Sequence, residues 1–289
     1  MEDRIITYGG QAVMEGVLMR GQKGMAIAMR APDGQIAVHT EDLSGIYKSK
    51  IAKIPFLRGS ILLWDAMGLG IRALTISAGI QTGEEEKIEG PLLYLTLILS
   101  LSFSIGLFFL VPYAVGKFGI WLGLGKLGAA VFEGVFRLLL IITYMWAVGL
   151  MPDIRRVFQY HGAEHKTINA FEAGAELTPE NVAKFPLEHP RCGTSFLLTL
   201  AVLSILFFSF LQMPSVILQI LGRLIMIPVL AGISLEYIRW MANHLSSPIV
   251  KWLIKPNLAL QKLTTREPDL AMLEVSIRSF NEMMAIEKA

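Results

Sequence analysis

Four long apolar runs dominate the sequence from residue 91 onward, and mixed polar segments separate them. The runs lie at 91–113, about 128–151, 195–211 and about 216–238. Crossing the hydrocarbon of a bilayer takes about 20 mostly apolar residues. Because backbone polar groups in lipid must be satisfied within the segment, each run is predicted to form a transmembrane helix. The last two runs are joined by "QMP" and are expected to form a tight helical hairpin.

The flanks of these runs differ in their content of lysine and arginine. The segments 1–90, 151–194 and 239–289 are rich in both residues, whereas the connection between the first two runs offers only Lys117 and Lys126. Cytoplasmic loops of membrane proteins carry such an excess. The pattern predicts a multi-pass protein of the cytoplasmic (inner) membrane with both termini in the cytoplasm. The first ten residues have no apolar core, so no signal peptide is expected.

Residues 51–90 contain an apolar stretch with a regular polar interruption. Arg58, Asp65 and Arg72 recur every seven positions and would form one stripe on a helix. We therefore expect an interfacial helix that lies at the membrane surface or packs against the spans. A fifth span is disfavoured, because it would put the N-terminus on the opposite side from the residues that follow.

Residues 1–50 have the alternation and turn signals of β-structure. "MAIAMR" and "QIAVHTEDL" flank "APDG", which predicts a hairpin. Gly16 and Gly21 have the glycine spacing of a phosphate loop, but no Lys-Ser/Thr pair follows, so that reading is rejected. Glu15 and Arg20 are candidates for polar contacts, either with a substrate or within the β-segment.

The last segment, 239–289, is predicted to be helical and cytoplasmic. Pro268 and Asp269 are a favourable helix start. The apolar residues that follow recur at helical spacing and predict a packing face. These residues are Leu270, Leu273, Ile277, Phe280 and Met284.

Composition supports the membrane assignment. Hydrophobic residues make up 53%, charged residues 17%, and the mean hydropathy is +0.53, which argues against a purely soluble chain. A net charge of +2 gives no reason to expect nucleic acid as a partner, whereas the bilayer is one. We therefore predict a mainly α integral membrane protein with four transmembrane helices. Its predicted segments are 1–50 (β-rich), 51–90 (interfacial helix), 91–151 (spans 1 and 2), 152–194 (His/Cys segment), 195–238 (spans 3 and 4) and 239–289 (cytoplasmic helices).

Candidate chemistry is concentrated in "YHGAEHKTINAFE", residues 160–172. His161 and His165 are four positions apart and would share one face of a helix, with Glu164 beside them. His-x-x-Glu-His is the inverted form of a metalloprotease signature, in which two histidines hold zinc and a carboxylate takes a proton from water. This is notable because the chain has only 5 histidines. We predict a divalent metal site, with zinc as the expected ion.

The spacing leaves the third metal ligand open. "LEHPRC" supplies His189 and Cys192 just before the third run, and Glu236 ends the fourth run on the same predicted side. His189 and Cys192 are favoured over Glu236. Two other readings stay open: Cys192 could be a nucleophile paired with a histidine, or the histidines could simply hydrogen-bond a polar loop. As the only cysteine, Cys192 excludes an intrachain disulfide.

Four blocks of the sequence resemble the YqhQ family of bacterial membrane proteins. They are "GGQAVMEGVLMRG", "HGAEHKTINAFE", "HPRCGTSF" and "LTTREPD", and the resemblance covers nearly the whole chain. It implies a predicted metal-dependent enzyme without a settled substrate. The blocks contain Glu15, Arg20, His161, Glu164, His165, His189, Arg191, Cys192, Arg266, Glu267 and Asp269.

Three functions follow from these observations. The first is a metal-dependent hydrolase acting on a peptide or a lipid-linked substrate, with Glu164 as the base. The second is a non-catalytic membrane scaffold with a structural metal or polar site, which recruits a cytoplasmic protein. A transporter is the weakest reading, because no inverted repeat is evident.

Overall fold

The computed structural model describes residues 8–43, 54–82, 91–210 and 216–289. Helices dominate the described chain, and one antiparallel sheet lies near the N-terminus. The strands are β1 (Gly9–Val13), β2 (Gly16–Arg20), β3 (Gly24–Arg30) and β4 (Ile36–Asp42). The helices are α1 (Leu57–Thr82), α2 (Pro91–Ile105), α3 (Val111–Trp121), α4 (Lys126–Val148), α5 (Pro152–Glu172), α6 (Pro179–Val182), α7 (Gly193–Phe210), α8 (Val216–Asn243), α9 (Pro248–Leu253), α10 (Lys255–Thr264) and α11 (Leu270–Lys288), and a π-helical turn, Gly106–Leu110, joins α2 to α3.

The four strands form a meander in the order β1-β2-β3-β4. The predicted hairpin is confirmed as β3–β4: Gly34 has a φ of 84°, and the Asp33 carboxylate accepts a hydrogen bond from the Gln35 backbone N–H at 2.9 Å. The glycines with phosphate-loop spacing, Gly16 and Gly21, lie at the start of β2 and directly after it, within the β1–β2 hairpin and its next turn. Glu15 occupies the left-handed region at the β1–β2 turn, with a φ of 53°. This glycine-rich stretch is therefore a structural hairpin.

Alternation along the strands gives the sheet two buried faces. One face packs against α5 and α11, and the other packs against α1 through Ala73. Because side chains on a strand point alternately up and down, neighbouring residues serve different layers. The first face carries Val17, Met19, Ala26 and Ala28, and the second carries Leu18, Met25, Ile27 and Met29. We call the sheet with α5, α6 and α11 the head.

Helix α11 confirms the predicted C-terminal helix and corrects its packing face. The Asp269 side chain caps the helix by accepting a hydrogen bond from the Met272 backbone N–H at 2.8 Å. Leu273 and Phe280 are fully buried against the sheet, as expected. Leu270, however, is 50% exposed, whereas Met272 in the same turn is 2% exposed and belongs to the buried face.

Three helical segments within the described ranges are long and apolar enough to cross a membrane, where the sequence predicted four. They are Tyr94–Trp121, Lys126–Val148 and Ile225–Asn243. The run at 195–211 lies in α7, whose apolar part, Leu198–Phe208, is shorter. The hairpin predicted at "QMP" lies outside the described residues. Lys117 is part of α3 and not of a connecting loop, because the helix continues through the π-helical turn to Trp121.

Helix α1 packs against α8 at a close crossing made by glycines. A Cβ on Gly59 would lie 2.6 Å from the Ala231 carbonyl oxygen, and one on Gly232 would lie 2.2 Å from the Phe56 carbonyl oxygen. Small residues allow helix backbones to approach this closely. One of the two placements expected for this helix was packing against a predicted span, and α1 does pack against α8, which contains a candidate span.

The apolar helix α4 carries an internal ion pair. Arg137 and Glu133 are one turn apart and 2.6 Å from each other. Arg137 also donates a hydrogen bond from Nε to the Phe108 carbonyl oxygen, in the π-helical turn, at 3.1 Å. A charge within an apolar helix needs such partners, so this pair ties α4 to the α2–α3 segment.

Candidate metal centre

Helix α5 brings the predicted histidine motif together as the sequence suggested. The helix begins at Pro152, and the chain turns at Gly174, which has a φ of 71°. His161 and His165 stand one turn apart on the same face, with their ring centroids separated by 4.4 Å. The helix therefore presents both imidazoles to one point at the edge of the head.

Cys192 completes a three-residue group. Its Sγ lies 3.3 Å from Nε2 of His161, and one ligand atom each from His161, His165 and Cys192 lie within 4.8 Å of one another. Two imidazoles and a thiol are a donor set typical of zinc. The group could therefore hold a metal ion.

Backbone carbonyls orient both imidazoles. Nδ1 of His161 donates a hydrogen bond to the Thr264 carbonyl oxygen at 2.9 Å, and Nδ1 of His165 donates to that of Leu187 at 2.5 Å. A carbonyl can only accept, so in each neutral imidazole Nε2 would carry the lone pair that a metal ion needs. Zinc-binding histidines use this outer hydrogen bond in the same way. Nε2 of His165 is buried and has no hydrogen-bond partner among the described residues.

Glu164 lies beside the group in a closed environment. Its side chain is 7% exposed, and its Oε2 lies 4.0 Å from Nε2 of His161. That oxygen has no hydrogen-bond partner in the described part of the chain. A Cβ on Gly10 would lie 2.9 Å from the Glu164 side chain, so strand β1 covers the carboxylate. Burial raises the pKa of Glu164, which leaves the carboxylate in need of a nearby cation.

Cys192 and His161 stabilise each other's charged forms. Burial acts against both charges, but the charge of His165 and the hydrogen bond from His161 hold the pKa of Cys192 well below its usual value. Burial likewise lowers the pKa of His161, but the hydrogen bond and the negative charge of Cys192 outweigh it and raise that pKa to about 9. The pocket therefore favours a thiolate, the form in which cysteine binds metal.

The loop that carries Cys192 is fixed by a glutamine of α10. The Gln261 side chain accepts a hydrogen bond from the His189 backbone N–H at 3.0 Å and donates to the His189 carbonyl oxygen at 2.8 Å. It also donates to the hydroxyl of Ser195 at 2.8 Å. Nothing in the sequence pattern singles out this glutamine, because its partners lie 66 and 72 residues away along the chain.

His189 and Arg191 belong to the wall of the site. The ring of His189 lies 5.7 Å from that of His165, and its Nε2 faces Glu172 at 3.7 Å. Arg191 forms an ion pair with the same carboxylate. Burial and the neighbouring charge of His165 lower the pKa of His189 to about 4, so its imidazole is neutral at pH 7. His189 does not join the three-residue group.

The structure does not bring Glu236 to the histidines. Its carboxylate accepts two hydrogen bonds from Arg58, at 2.6 and 2.5 Å, and one from the Phe56 backbone N–H at 3.2 Å. The α1–α8 crossing places these groups together. Glu236 therefore stabilises the packing of α1 on α8.

Glu15 and Arg20 lie in the hairpin that covers the site. The Glu15 carboxylate pairs with the Arg156 guanidinium through two contacts of 2.5 Å and accepts a hydrogen bond from the Tyr160 hydroxyl at 3.3 Å. Arg20 ends β2, between Gly9 of β1 and Met25 of β3. Glu15 thus fastens the β1–β2 turn to α5.

We expect a Glu15→Gln substitution to lower the free energy of unfolding by about 1 kcal/mol at neutral pH, since Arg156 is partly exposed. The Arg156 hydrogen bond lowers the pKa of Glu15. The stability difference between wild type and variant is therefore at its full size above the unfolded-state pKa of Glu15. It disappears as the pH falls through the folded-state pKa. Unfolding in detergent from neutral pH to below about pH 4 measures this. The exposed Glu176, replaced by Gln, is the control, and an equal loss at every pH would contradict the ion pair.

Comparison with known proteins assigns the family. Residues 54–286 match the family described as "Protein of unknown function (DUF1385)". A Bacillus subtilis (strain 168) protein with the name "Uncharacterized protein YqhQ" is 36% identical over 295 residues, which cover 97% of this chain and 93% of that protein. The chain belongs to the YqhQ family. No solved structure matches it.

The four YqhQ-family blocks meet at the candidate metal centre. The first contributes Gly10, which covers Glu164, and the second and third contribute the histidines and Cys192. The fourth, "LTTREPD", supplies the Thr264 carbonyl, and its Glu267 pairs with the buried Lys166 at 2.6 Å. The family resemblance predicted from these blocks is confirmed. The fold brings the four blocks, which are far apart in sequence, around the same group of side chains.

Proposed function

We propose that this protein is a membrane-embedded metal-dependent hydrolase with zinc bound by His161, His165 and Cys192. The observation that carries the proposal is the convergence of one ring nitrogen from each of two histidines and one thiol sulfur within 4.8 Å. Three protein ligands are typical of a catalytic zinc site, which keeps one position open.

Glu164 is the general base in this proposal. Zinc would supply Lewis-acid chemistry at the centre, acidifying a water molecule and polarising a carbonyl group. The Glu164 carboxylate oxygen without a hydrogen-bond partner is placed to take up the proton that such chemistry releases. Burial raises the pKa of Glu164 and makes it a stronger base than an exposed glutamate.

The position of the centre favours a substrate that is held at the membrane. Helix α4 ends at Val148, shortly before α5, and α7 begins at Gly193, next to Cys192. The reacting group of a lipid-linked molecule, or of a peptide emerging from the bilayer, would therefore lie close to the ligands. Both substrates stay within the proposal.

The proposed topology places the head and both termini in the cytoplasm. Its support is the excess of lysine and arginine in the segments that form the head and its neighbours. Reporter fusions at the connection between α3 and α4, compared with fusions after α11, test this orientation. Equal reporter activity on both sides would overturn it.

We expect Glu164→Gln to keep the zinc and abolish function. Glutamine has the size of glutamate but cannot take up a proton, so the proposed reaction slows by about 10²- to 10⁴-fold. Metal analysis of detergent-purified protein and complementation of a strain that lacks the gene measure the two effects. Glu176→Gln, on the exposed loop after α5, is the matched control. A Glu164→Gln variant with normal metal content and normal complementation would sink the hydrolase proposal.

A structural metal site in a membrane scaffold is the second candidate, and one observation favours it. Strand β1 closes over Glu164 through Gly10, so this carboxylate could serve as a fourth ligand. The head would then be a rigid platform for a cytoplasmic protein. X-ray absorption at the zinc edge separates the candidates: a fourth protein ligand, lost in Glu164→Gln together with most of the metal, favours the scaffold.

A further inference from the structure

Helices α9 and α10 expose a face that combines apolar and basic side chains. Ile249 and Trp252 are 68% and 69% exposed. Lys251, Lys255 and Lys262 are exposed on the same two helices. An exposed isoleucine and tryptophan are unfavourable in water, and tryptophan favours the boundary between water and lipid. We call these five residues the basic aromatic face.

Packing on the opposite side fixes the direction of this face. Val250 and Ile254 are buried against α7 and α8, where they contact a cluster that includes Phe196, Ile238 and Met241. Turning the basic aromatic face inward would require giving up these contacts. The basic aromatic face therefore stays on the side of α9 and α10 that is turned away from α7 and α8.

The stretch of chain that carries the face has basic residues and no acidic ones, while Glu188, in the loop before α7, lies 3.8 Å from Lys262. Residues 237–266 contain no Asp or Glu. The stretch directly overlaps and follows the end of the candidate span Ile225–Asn243, where Trp240 is 45% exposed. The basic residues in the stretch are Arg239, Lys251, Lys255, Lys262 and Arg266.

We propose that the basic aromatic face docks onto the anionic phospholipid headgroups of the leaflet next to the head. Ile249 and Trp252 would enter the interface, and the three lysines would contact the negative lipid headgroups. Continuity with a membrane-crossing helix favours a lipid surface over a protein partner. The inference rests on the proposal that α8 crosses the membrane and is independent of the metal centre.

This docking would bear on the site through α10. The outer side of the helix carries Lys255 and Lys262, while its buried side carries Gln261 and Thr264. Gln261 holds the loop of Cys192, and the Thr264 carbonyl orients His161. One short helix thus joins the leaflet to the candidate metal centre.

Fluorescence of Trp252 tests the proposal in reconstituted full-length protein. The other four of the 5 tryptophans are replaced by phenylalanine, and the protein is placed in vesicles of phosphatidylcholine with phosphatidylglycerol. Quenching by brominated phosphatidylglycerol is compared with quenching by brominated phosphatidylcholine. Each lysine near an anionic surface contributes about fivefold to partitioning, so we expect a preference of about tenfold or more for the anionic lipid.

The variant Lys251→Gln/Lys255→Gln/Lys262→Gln should reduce this preference to nearly none. Lys23→Gln/Lys184→Gln/Lys288→Gln removes the same charge from the head and should leave it unchanged. If the four-tryptophan replacement does not fold, wild type with and without Trp252→Phe gives the same comparison by difference.

Trp252 quenched by neither lipid, or by both equally in wild type, overturns the proposal, and the first result would indicate a protein partner on this face. Extraction of the chain by alkaline carbonate would instead refute the membrane assignment itself.

Discussion

His165→Ala is expected to leave the purified protein without bound zinc, with a loss of affinity of more than about a hundredfold. The reason is geometric. His165 Nε2 is buried, oriented by the Leu187 carbonyl, and directed at the point shared with His161 and Cys192. His189 cannot replace it, since its ring is turned toward Glu172. Metal analysis after detergent purification measures the loss.

The same substitution should lower stability beyond the effect of a lost side chain. Without the metal and His165, Glu164 keeps only His161 as a nearby cation among the described residues, and the Cys192 thiolate loses the stabilising charge of His165. Breaking a buried charge arrangement costs about 3–5 kcal/mol. A chelator should destabilise wild type by a similar amount and leave His165→Ala nearly unaffected, which thermal unfolding with and without chelator can show.

His244→Ala is the matched control for this experiment. His244 is exposed at the end of α8, and its Nδ1 donates only to the Trp240 carbonyl oxygen of the preceding turn, at 2.8 Å. Zinc content and chelator sensitivity should match wild type. Stoichiometric zinc in His165→Ala, or no zinc in wild type after metal-supplemented purification, would refute the proposed centre.

Gly162→Ala is expected to destabilise the protein by about 3 kcal/mol or more and to disturb the metal centre as well. A Cβ at this position would lie 2.2 Å from the Arg266 carbonyl oxygen and 2.8 Å from Cδ2 of Leu187. The leucine side chain could shift, but the Arg266 backbone could not move without displacing Thr264, two residues earlier in the chain. The carbonyls of Thr264 and Leu187 orient the two histidines. The added methyl group should therefore move α5 away from the Thr264 and Leu187 carbonyls and weaken the hydrogen bonds that orient the two histidines.

Gly193→Ala provides a control with the same chemistry. Gly193 starts α7 next to Cys192, and a Cβ there would meet nothing within 4 Å. We expect stability within about 0.5 kcal/mol of wild type and unchanged zinc content. Unfolding in denaturant and metal analysis of both variants decide the matter. If Gly162→Ala is as stable and binds as much zinc as Gly193→Ala, then α5 does not pack tightly against the Arg266 backbone.

The histidine motif was predictable because its geometry is local. A four-residue spacing on a helix fixes the relation of His161 and His165 regardless of what surrounds them. The third member of the group was not predictable in the same way. Topology offered His189, Cys192 and Glu236. Only the structure shows that His189 faces Glu172 and that Glu236, at the α1–α8 crossing, pairs with Arg58.

The supporting groups around the centre were invisible to sequence reasoning. Backbone carbonyls, such as those of Thr264 and Leu187, have no residue-specific signature. Gly10 and Gly162 lack a Cβ and so allow close packing against Glu164 and Arg266, respectively. These partners are far away in the sequence, so the pattern around each glycine does not reveal them. The β3–β4 hairpin and α11 were predictable from turn residues and helical spacing, whereas the length of the first apolar helix was not, because the π-helical turn carries it on to Trp121.

The packing of β2 and β3 on α11 has a consequence for biosynthesis. The sheet is made first and α11 last, with every candidate span made in between. The sheet face with Val17 and Met19 can only be buried once Leu273 and Phe280 leave the ribosome. Contacts so distant in sequence form late and slowly. The head should therefore close only after α11 has been synthesised, when every candidate span has already left the ribosome.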